Sequence, residues 1–228
     1  MAQPAPTKRQ APASSSTKQK YLLAYNTLSC TLWALLLTRL LLLLPLVGPS
    51  HLFGGTDAFV RLIQSLALLE PLHSLAGVVR APLLTTLMQV SSRLLLVWGI
   101  AFLLPDAVTD GGVDGGWAWA GMLVAWSVTE VVRYGYFVCV LGRGGRVPGA
   151  LGWARYNFFY ALYPLGITCE CWLVARAVWT GVAEEAFGPL AKWALLGVLG
   201  VYVPGSYILY THMISQRRRV MRGKQRAE

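Results

Sequence analysis

The sequence predicts an all-α membrane protein, a six-transmembrane-helix bundle. Three observations carry that prediction. Of the 228 residues, 55% are hydrophobic and 13% are charged, with a mean hydropathy of +0.51, so no soluble domain of useful size remains outside the apolar runs. The runs recur along the whole length at about 20 residues or more, which is what roughly 30 Å of hydrocarbon requires of a helix. Breakers separate them: Gly48-Pro49, Arg80-Ala81-Pro82, residues 105–116, residues 142–149 and Gly188-Pro189.

The first span is placed at residues 22–47. Twenty residues rich in Ala, Pro, Ser and Lys precede it, and no small-residue cleavage pattern follows a short apolar core, so it reads as a helix and not as a signal peptide. The second, at 57–79, carries Arg61, Glu70, Pro71 and His73; as a re-entrant segment it would reduce the count to five and put the termini on opposite sides. The third lies at 82–104 behind Pro82, the fourth at 117–141, the fifth at 154–178 and the sixth at 189–212 behind Gly188-Pro189.

Charge orients these spans. Lys8, Arg9, Lys18 and Lys20 precede the first, and Arg143, Arg146 and Arg155 flank the fourth connection. Arg217, Arg218, Arg219, Arg222, Lys224 and Arg226 follow the last. An even number of spans places all of them on one side, which the positive-inside rule makes cytosolic. Residues 105–116 hold Asp106, Asp110 and Asp114 with no Lys or Arg, as suits the opposite side. The chain then divides into a disordered cytosolic tail (1–20), a six-span membrane domain (21–214) and a basic cytosolic tail (215–228).

Several function classes are excluded. The net charge of +10 sits at membrane edges, where topology and anionic lipid account for it, and no basic groove with interleaved aromatics supports nucleic-acid binding. Cys30, Cys139, Cys169 and Cys171 all fall inside spans, which argues against a disulfide framework. With no second ligand pair beside Cys169 and Cys171, no metal site is expected. There is no glycosylation acceptor, phosphate loop, nucleophile elbow or long repeat.

Polar residues inside the spans carry the functional signal. Glu70, His73 and Gly77 share a helical face at i, i+3 and i+7; Gln89 and Arg93 are paired at i, i+4; Glu130, Arg133 and Tyr134 lie together on a third face. Their structural reading is interhelical bonding, with Glu130 and Arg93 or Arg133 forming a charge-balanced network. Arg93 and Arg133 stand equally between that role and contact with a substrate. His73 reads as a packing histidine and Gly77 as a close-packing position.

Tyr163 and Glu170 stand apart from these. They are seven residues apart in an apolar run, nearly two turns, so both project from one helical face with Cα atoms roughly 10 Å apart. A carboxylate at bilayer depth is costly and faces a partner, a cavity or a pathway. Pro164 removes an amide donor and favours a kink between the two, and Gly166 leaves room for a close neighbour. A proton donor and acceptor on one buried face point to acid–base chemistry.

Four blocks in one order then match a known family: Leu69-Glu70 to Val79-Arg80; Gln89 to Arg93; Trp126-Ser127-Val128-Thr129-Glu130 with Arg133-Tyr134; and Arg155-Tyr156 to Glu170. From about Tyr25 to Arg219 the chain resembles the 3-hydroxyacyl-CoA dehydratases of very-long-chain fatty acid elongation, the family also called protein tyrosine phosphatase-like. The resemblance implies a six-span enzyme of the endoplasmic reticulum membrane, both termini cytosolic, that converts a (3R)-3-hydroxyacyl-CoA to the trans-2-enoyl-CoA in the third step of the elongation cycle. It implies Tyr163 and Glu170, within Tyr-Pro-x-Gly-x-x-x-Glu, as the catalytic pair, and importance for Arg155 and Gly166. It implies no cofactor, membrane lipid as surroundings, and an elongase and the ketoacyl- and enoyl-CoA reductases as partners.

Dehydration needs a base at C2, an acid at the departing hydroxyl and electrostatic support for the thioester carbonyl. Glu170 is favoured as the base and Tyr163 as the acid, with the reverse left open. Arg93, Arg133, Arg155 and Gly166 are the candidate substrate-binding residues; Arg155, Arg143 or Arg146 could meet coenzyme A phosphates, although a role in topology alone is the favoured reading of these arginines. Tyr163 lies eight residues past Arg155, roughly 12 Å deeper along a helix, as a cytosolic headgroup and a membrane-embedded acyl chain require. The spacing Cys171 to Arg176 is that of a cysteine phosphatase, but inside a transmembrane helix it forms no phosphate cradle. The alternatives are a non-catalytic membrane scaffold of the elongation complex and a small lipid or solute transporter, the latter calling for inverted repeats absent from the sequence.

Overall fold

Ser16 is the N-cap of the first helix, its hydroxyl accepting from the Gln19 amide at 3.2 Å. The structure is a computed structural model that describes residues 16–79, 81–109 and 113–225. It is all-helical, with no strand among the described residues. The helices are α1 (Thr17–Leu66), α2 (Leu69–Leu75), α3 (Leu83–Leu94), α4 (Asp106–Thr109), α5 (Val113–Gly142), α6 (Gly149–Asn157), α7 (Phe159–Trp179), α8 (Val182–Phe187) and α9 (Pro189–Gln225). Residues Leu95–Phe102 continue α3 with π-helical bonding, the Leu103 amide reaching the Trp98 carbonyl at 3.3 Å.

Among the described residues, five helical stretches are long and apolar enough to cross a membrane: Thr17–Leu75, Leu83–Phe102, Asp114–Gly142, Phe159–Trp179 and Pro189–Arg222. The sequence predicts six, and the difference lies in the first stretch, where the two expected spans follow each other with no loop between. Gly48 interrupts α1 at φ 72° and ψ 172°, a conformation that suits glycine. The Arg39 Nε donates to the Gly55 carbonyl at 2.6 Å. Those residues are sixteen apart, about 24 Å along a straight helix, so the bond forms because the chain folds back at Gly48. Leu43 fills the space that a side chain on Gly55 would occupy, so the two halves of α1 lie closely against each other.

Other expectations shift locally. The second predicted span begins before 57, directly after Gly48, and α2 ends at Leu75, short of Gly77. Gly77 therefore does not share the face of Glu70 and His73. It closes α2 at φ 66°, with its amide on the Ser74 carbonyl (3.1 Å) and the Val78 amide on the His73 carbonyl (2.8 Å), the bonding of a Schellman motif. A side chain there would meet nothing within 4 Å, so Gly77 is a turn residue and not a packing one. The stretch 154–178 is divided at Phe158, whose carbonyl accepts from both Ala161 (3.1 Å) and Leu162 (2.9 Å), while α7 continues through Pro164. At the other end α9 runs on to Gln225, past the predicted limit at 212.

α5 is the central element. Its most extensive partner is α1, and its opposite side packs on α7. The buried stripe Trp33, Leu36 and Leu40 of α1 meets Trp119, Met122, Leu123 and Trp126 of α5, and Leu173, Val174 and Ala177 of α7 complete the core. Glycine allows the close approaches. A Cβ on Gly116 would lie 2.4 Å from the Pro49 carbonyl oxygen, and one on Gly121 would lie 2.7 Å from the Cys169 Sγ. α9 lies outside, against α7 and α8, with Trp193, Val201, Val203 and Tyr207 exposed. An outer surface this apolar is suited to lipid.

Candidate active site

Glu170 comes from the middle of α7 and is buried, 6% exposed. Two neutral donors from different helices hold its carboxylate. The Trp126 Nε1 of α5 donates to Oε1 at 2.9 Å, and the Tyr202 hydroxyl of α9 donates to Oε2 at 3.1 Å. Among the described residues no guanidinium or ammonium is paired with it. Tyr163, also on α7, donates to the Ser206 carbonyl at 3.1 Å and stacks on Tyr210, ring centroids 5.6 Å apart. Tyr163 and Glu170 thus both face α9, where Tyr202, Ser206 and Tyr210 follow at four-residue intervals. They are not bonded to each other. α7 and α9 run antiparallel, since the earlier residue of α7 meets the later residues of α9.

Gly166 lies one turn before Glu170. A Cβ there would be 3.5 Å from Ala125 Cβ and 3.9 Å from Glu170 Oε1, so a methyl group would stand in contact with both.

Behind Trp126 lies the ionic network that the polar spacing predicts. The Arg93 guanidinium sits over the Trp126 ring, 5.0 Å from its centroid, and binds Glu130 Oε1 at 2.5 Å. Arg133 Nε binds Glu130 Oε2 at 2.6 Å, and its terminal nitrogens grip both oxygens of Glu70 at 2.5 and 3.1 Å. Tyr134 also donates to Glu70. Two carboxylates and two guanidiniums balance, linking α2, α3 and α5. Arg93 and Arg133 are therefore engaged by carboxylates, and neither reaches Glu170 directly.

Arg155 is set apart from this network. Its guanidinium lies 4.5 Å from the Tyr136 ring centroid and 4.7 Å from that of Phe137, on the α5–α6 side. His73 bonds the Tyr21 hydroxyl at 2.7 Å and meets Tyr25 edge-on, as a packing histidine. Gln89 is exposed on α3. The sequence reading missed Tyr202, Ser206 and Tyr210 and did not assign Trp126 to Glu170. The signal for the first three was present: a polar stripe at i, i+4 and i+8 in an otherwise apolar helix.

Fold and site together define an all-helical protein, with helices apolar enough to cross a membrane, that carries a buried carboxylate and a phenol on one helix face next to a neutralised ionic network. Residues 64–223 match the model of the protein tyrosine phosphatase-like protein family, PTPLA. The chain belongs to that family. It is 38% identical over 206 residues to a probable very-long-chain (3R)-3-hydroxyacyl-CoA dehydratase of Schizosaccharomyces pombe, covering 89% of this chain and 93% of the relative. It is 35% identical over 218 residues to very-long-chain (3R)-3-hydroxyacyl-CoA dehydratase hpo-8 of Caenorhabditis elegans, covering 90% and 96%. Against PASTICCINO 2, the enzyme of that name in Arabidopsis thaliana, it is 32% identical over 217 residues, covering 91% and 95%. No solved structure matches the chain. The phosphatase in the family name has no counterpart in the geometry, because Cys171 and Arg176 lie on one continuous helix and the Arg176 Nε donates to the Ala107 carbonyl at 2.9 Å.

Proposed function

We propose that this protein is a hydro-lyase that removes water from a (3R)-3-hydroxyacyl-CoA to give the trans-2-enoyl-CoA, with Glu170 and Tyr163 as its proton-transfer pair. The observation that carries the reading is the state of Glu170. It is a buried carboxylate held by neutral donors, while the neighbouring carboxylates Glu70 and Glu130 are bound to arginine. The names borne by the relatives supply the substrate class and agree with such a base.

In this mechanism Glu170 takes the C2 proton, whose electron pair becomes the C2–C3 double bond as the C3–O bond breaks. Tyr163 turns its hydroxyl proton from the Ser206 carbonyl to the departing hydroxyl, which leaves as water. Return of a proton from Glu170 to Tyr163 restores the starting state. Arg155, whose guanidinium lies over the rings of Tyr136 and Phe137, is assigned to the phosphates of coenzyme A in this reading. Arg93 and Arg133 act through the network that backs Trp126.

The same reading gives the chain six spans, supported by the reversal of α1 at Gly48, which divides the helix into lengths of about 46 Å and about 27 Å, set against about 30 Å of hydrocarbon. It places both basic ends on the cytosolic side of the endoplasmic reticulum membrane, with an elongase and the two reductases as neighbours in the cycle.

The test is purified protein with a long-chain (3R)-3-hydroxyacyl-CoA, following enoyl-CoA formation in wild type, Tyr163→Phe and Glu170→Gln. Turnover in wild type and a loss of at least about 100-fold in each folded variant is expected. Undiminished turnover in either variant removes that residue from the mechanism. No turnover by folded wild type at several chain lengths rejects the function. If elimination is stepwise, Tyr163→Phe retains exchange of the C2 proton with solvent and Glu170→Gln loses it; the opposite pattern reverses the two roles.

A further inference from the structure

We propose that Tyr202 is a positioning residue for Glu170, and that with Trp126 it fixes the plane of the carboxylate which takes the C2 proton. The proposal rests on the dehydratase reading above.

A glutamate has three rotatable side-chain bonds, and a base must present a lone pair to one C–H bond within a few tenths of an ångström. One hydrogen bond leaves a carboxylate free to swing about it; a second, on the other oxygen, stops that motion. Glu170 has both, Trp126 Nε1 on Oε1 at 2.9 Å and the Tyr202 hydroxyl on Oε2 at 3.1 Å. An ionised carboxylate has about four lone-pair sites, so two remain for the reaction. Phenol and indole hold the group without cancelling its charge, as a guanidinium would.

The two anchors differ in their own support. Trp126 is 3% exposed, and Arg93 lies over its ring, itself bound to Glu130. Its place is settled inside the α3–α5 core. Tyr202 is carried by α9, the outer helix, whose lipid side bears Val201, Val203 and Tyr207. One turn further, the Ser206 carbonyl holds the Tyr163 hydroxyl. A single helix therefore sets the direction of both members of the proton-transfer pair. Docking of α9 on α7 is what assembles the site, and Tyr202 is the bond through which that docking reaches the base.

The experiment compares Tyr202→Phe with wild type in the full-length protein, with Tyr207→Phe as the control on the exposed side of the same helix. Tyr202→Phe keeps the ring and removes only the hydroxyl. The expected result is a fall in kcat of about 10- to 100-fold, the scale of one hydrogen bond to a charged group, with KM changed less than about threefold. Tyr207→Phe keeps wild-type kcat. In a Glu170→Asp background, where the shortened carboxylate no longer reaches Tyr202, Tyr202→Phe adds less than about twofold. Wild-type kcat in folded Tyr202→Phe overturns the proposal while leaving the dehydratase reading intact. An equal, additive loss in the Glu170→Asp background also overturns it, because the effect would then be general to the fold. If wild type has no turnover, the function fails and this proposal falls with it.

Discussion

Glu170 and Glu130 are both buried carboxylates, 6% and 3% exposed, and their partners make them different chemical objects. Glu130 lies between Arg93 and Arg133 and is a structural anion; Glu170 receives, among the described residues, an indole N–H and a phenol O–H. Glycines show a similar contrast. Gly116 faces the Pro49 carbonyl oxygen, where a Cβ would stand at 2.4 Å, whereas Gly197 has nothing within 4 Å. Gly116→Ala forces the start of α5 away from the Gly48 turn and is expected to cost about 1–3 kcal/mol, read as a lowered Tm in detergent. Gly197→Ala is expected to match wild type or exceed it slightly, since alanine is the better helix former. An unchanged Tm for Gly116→Ala would contradict this packing of α1 against α5.

Among the elements, α5 carries most of the organisation. It presents Trp119, Met122 and Trp126 to the core, Glu130 and Arg133 to the ionic network, and Gly121 to Cys169 of α7. The network joins it to α2 through Glu70 and to α3 through Arg93. Glu130→Ala leaves two guanidiniums without their shared anion and is expected to destabilise the protein by about 3–5 kcal/mol, with activity lost as Arg93 leaves Trp126. Glu130→Gln preserves the shape and accepts hydrogen bonds, so a smaller loss is expected. Thermal unfolding of both variants decides this; equal Tm values for Glu130→Ala and wild type would show that the network contributes nothing.

At the scale of the molecule, the question is how the five apolar helical stretches among the described residues meet a membrane. The first stretch is 59 residues long and reverses at Gly48, so its two halves count as separate crossings in the arrangement proposed above. Six crossings put the two termini on one side, and five put them on opposite sides. Epitope tags at the N- and C-terminus in sealed microsomes are expected to be equally sensitive to added protease. Protection of one tag alone would establish an odd number of crossings and require a different path for residues 49–75.

Composition, hydropathy and breakers were enough to read an all-helical chain with helices apolar enough to cross a membrane and, within a few residues, the stretches predicted at 82–104 and 117–141, because the hydrophobic demand of a bilayer acts on each segment independently of its neighbours. The pairing of Glu130 with arginine was also legible, since i, i+3 and i, i+4 spacing alone puts charges on one face. The spacing placed Tyr163 and Glu170 on one face of a helix as well. The sequence could not say which helix that face meets. That α9 supplies Tyr202 to Glu170 and Ser206 to Tyr163, across 32 and 43 residues of chain, follows from the packing of α9 on α7. The break at Gly48-Pro49 was legible as a breaker between two spans, whereas the turn at Gly77 was decided by backbone geometry, which hydrophobic pattern does not encode. Local chemistry and segment hydrophobicity are written residue by residue, whereas the surroundings of a buried carboxylate are made by residues distant in sequence and become definite only when the helices dock.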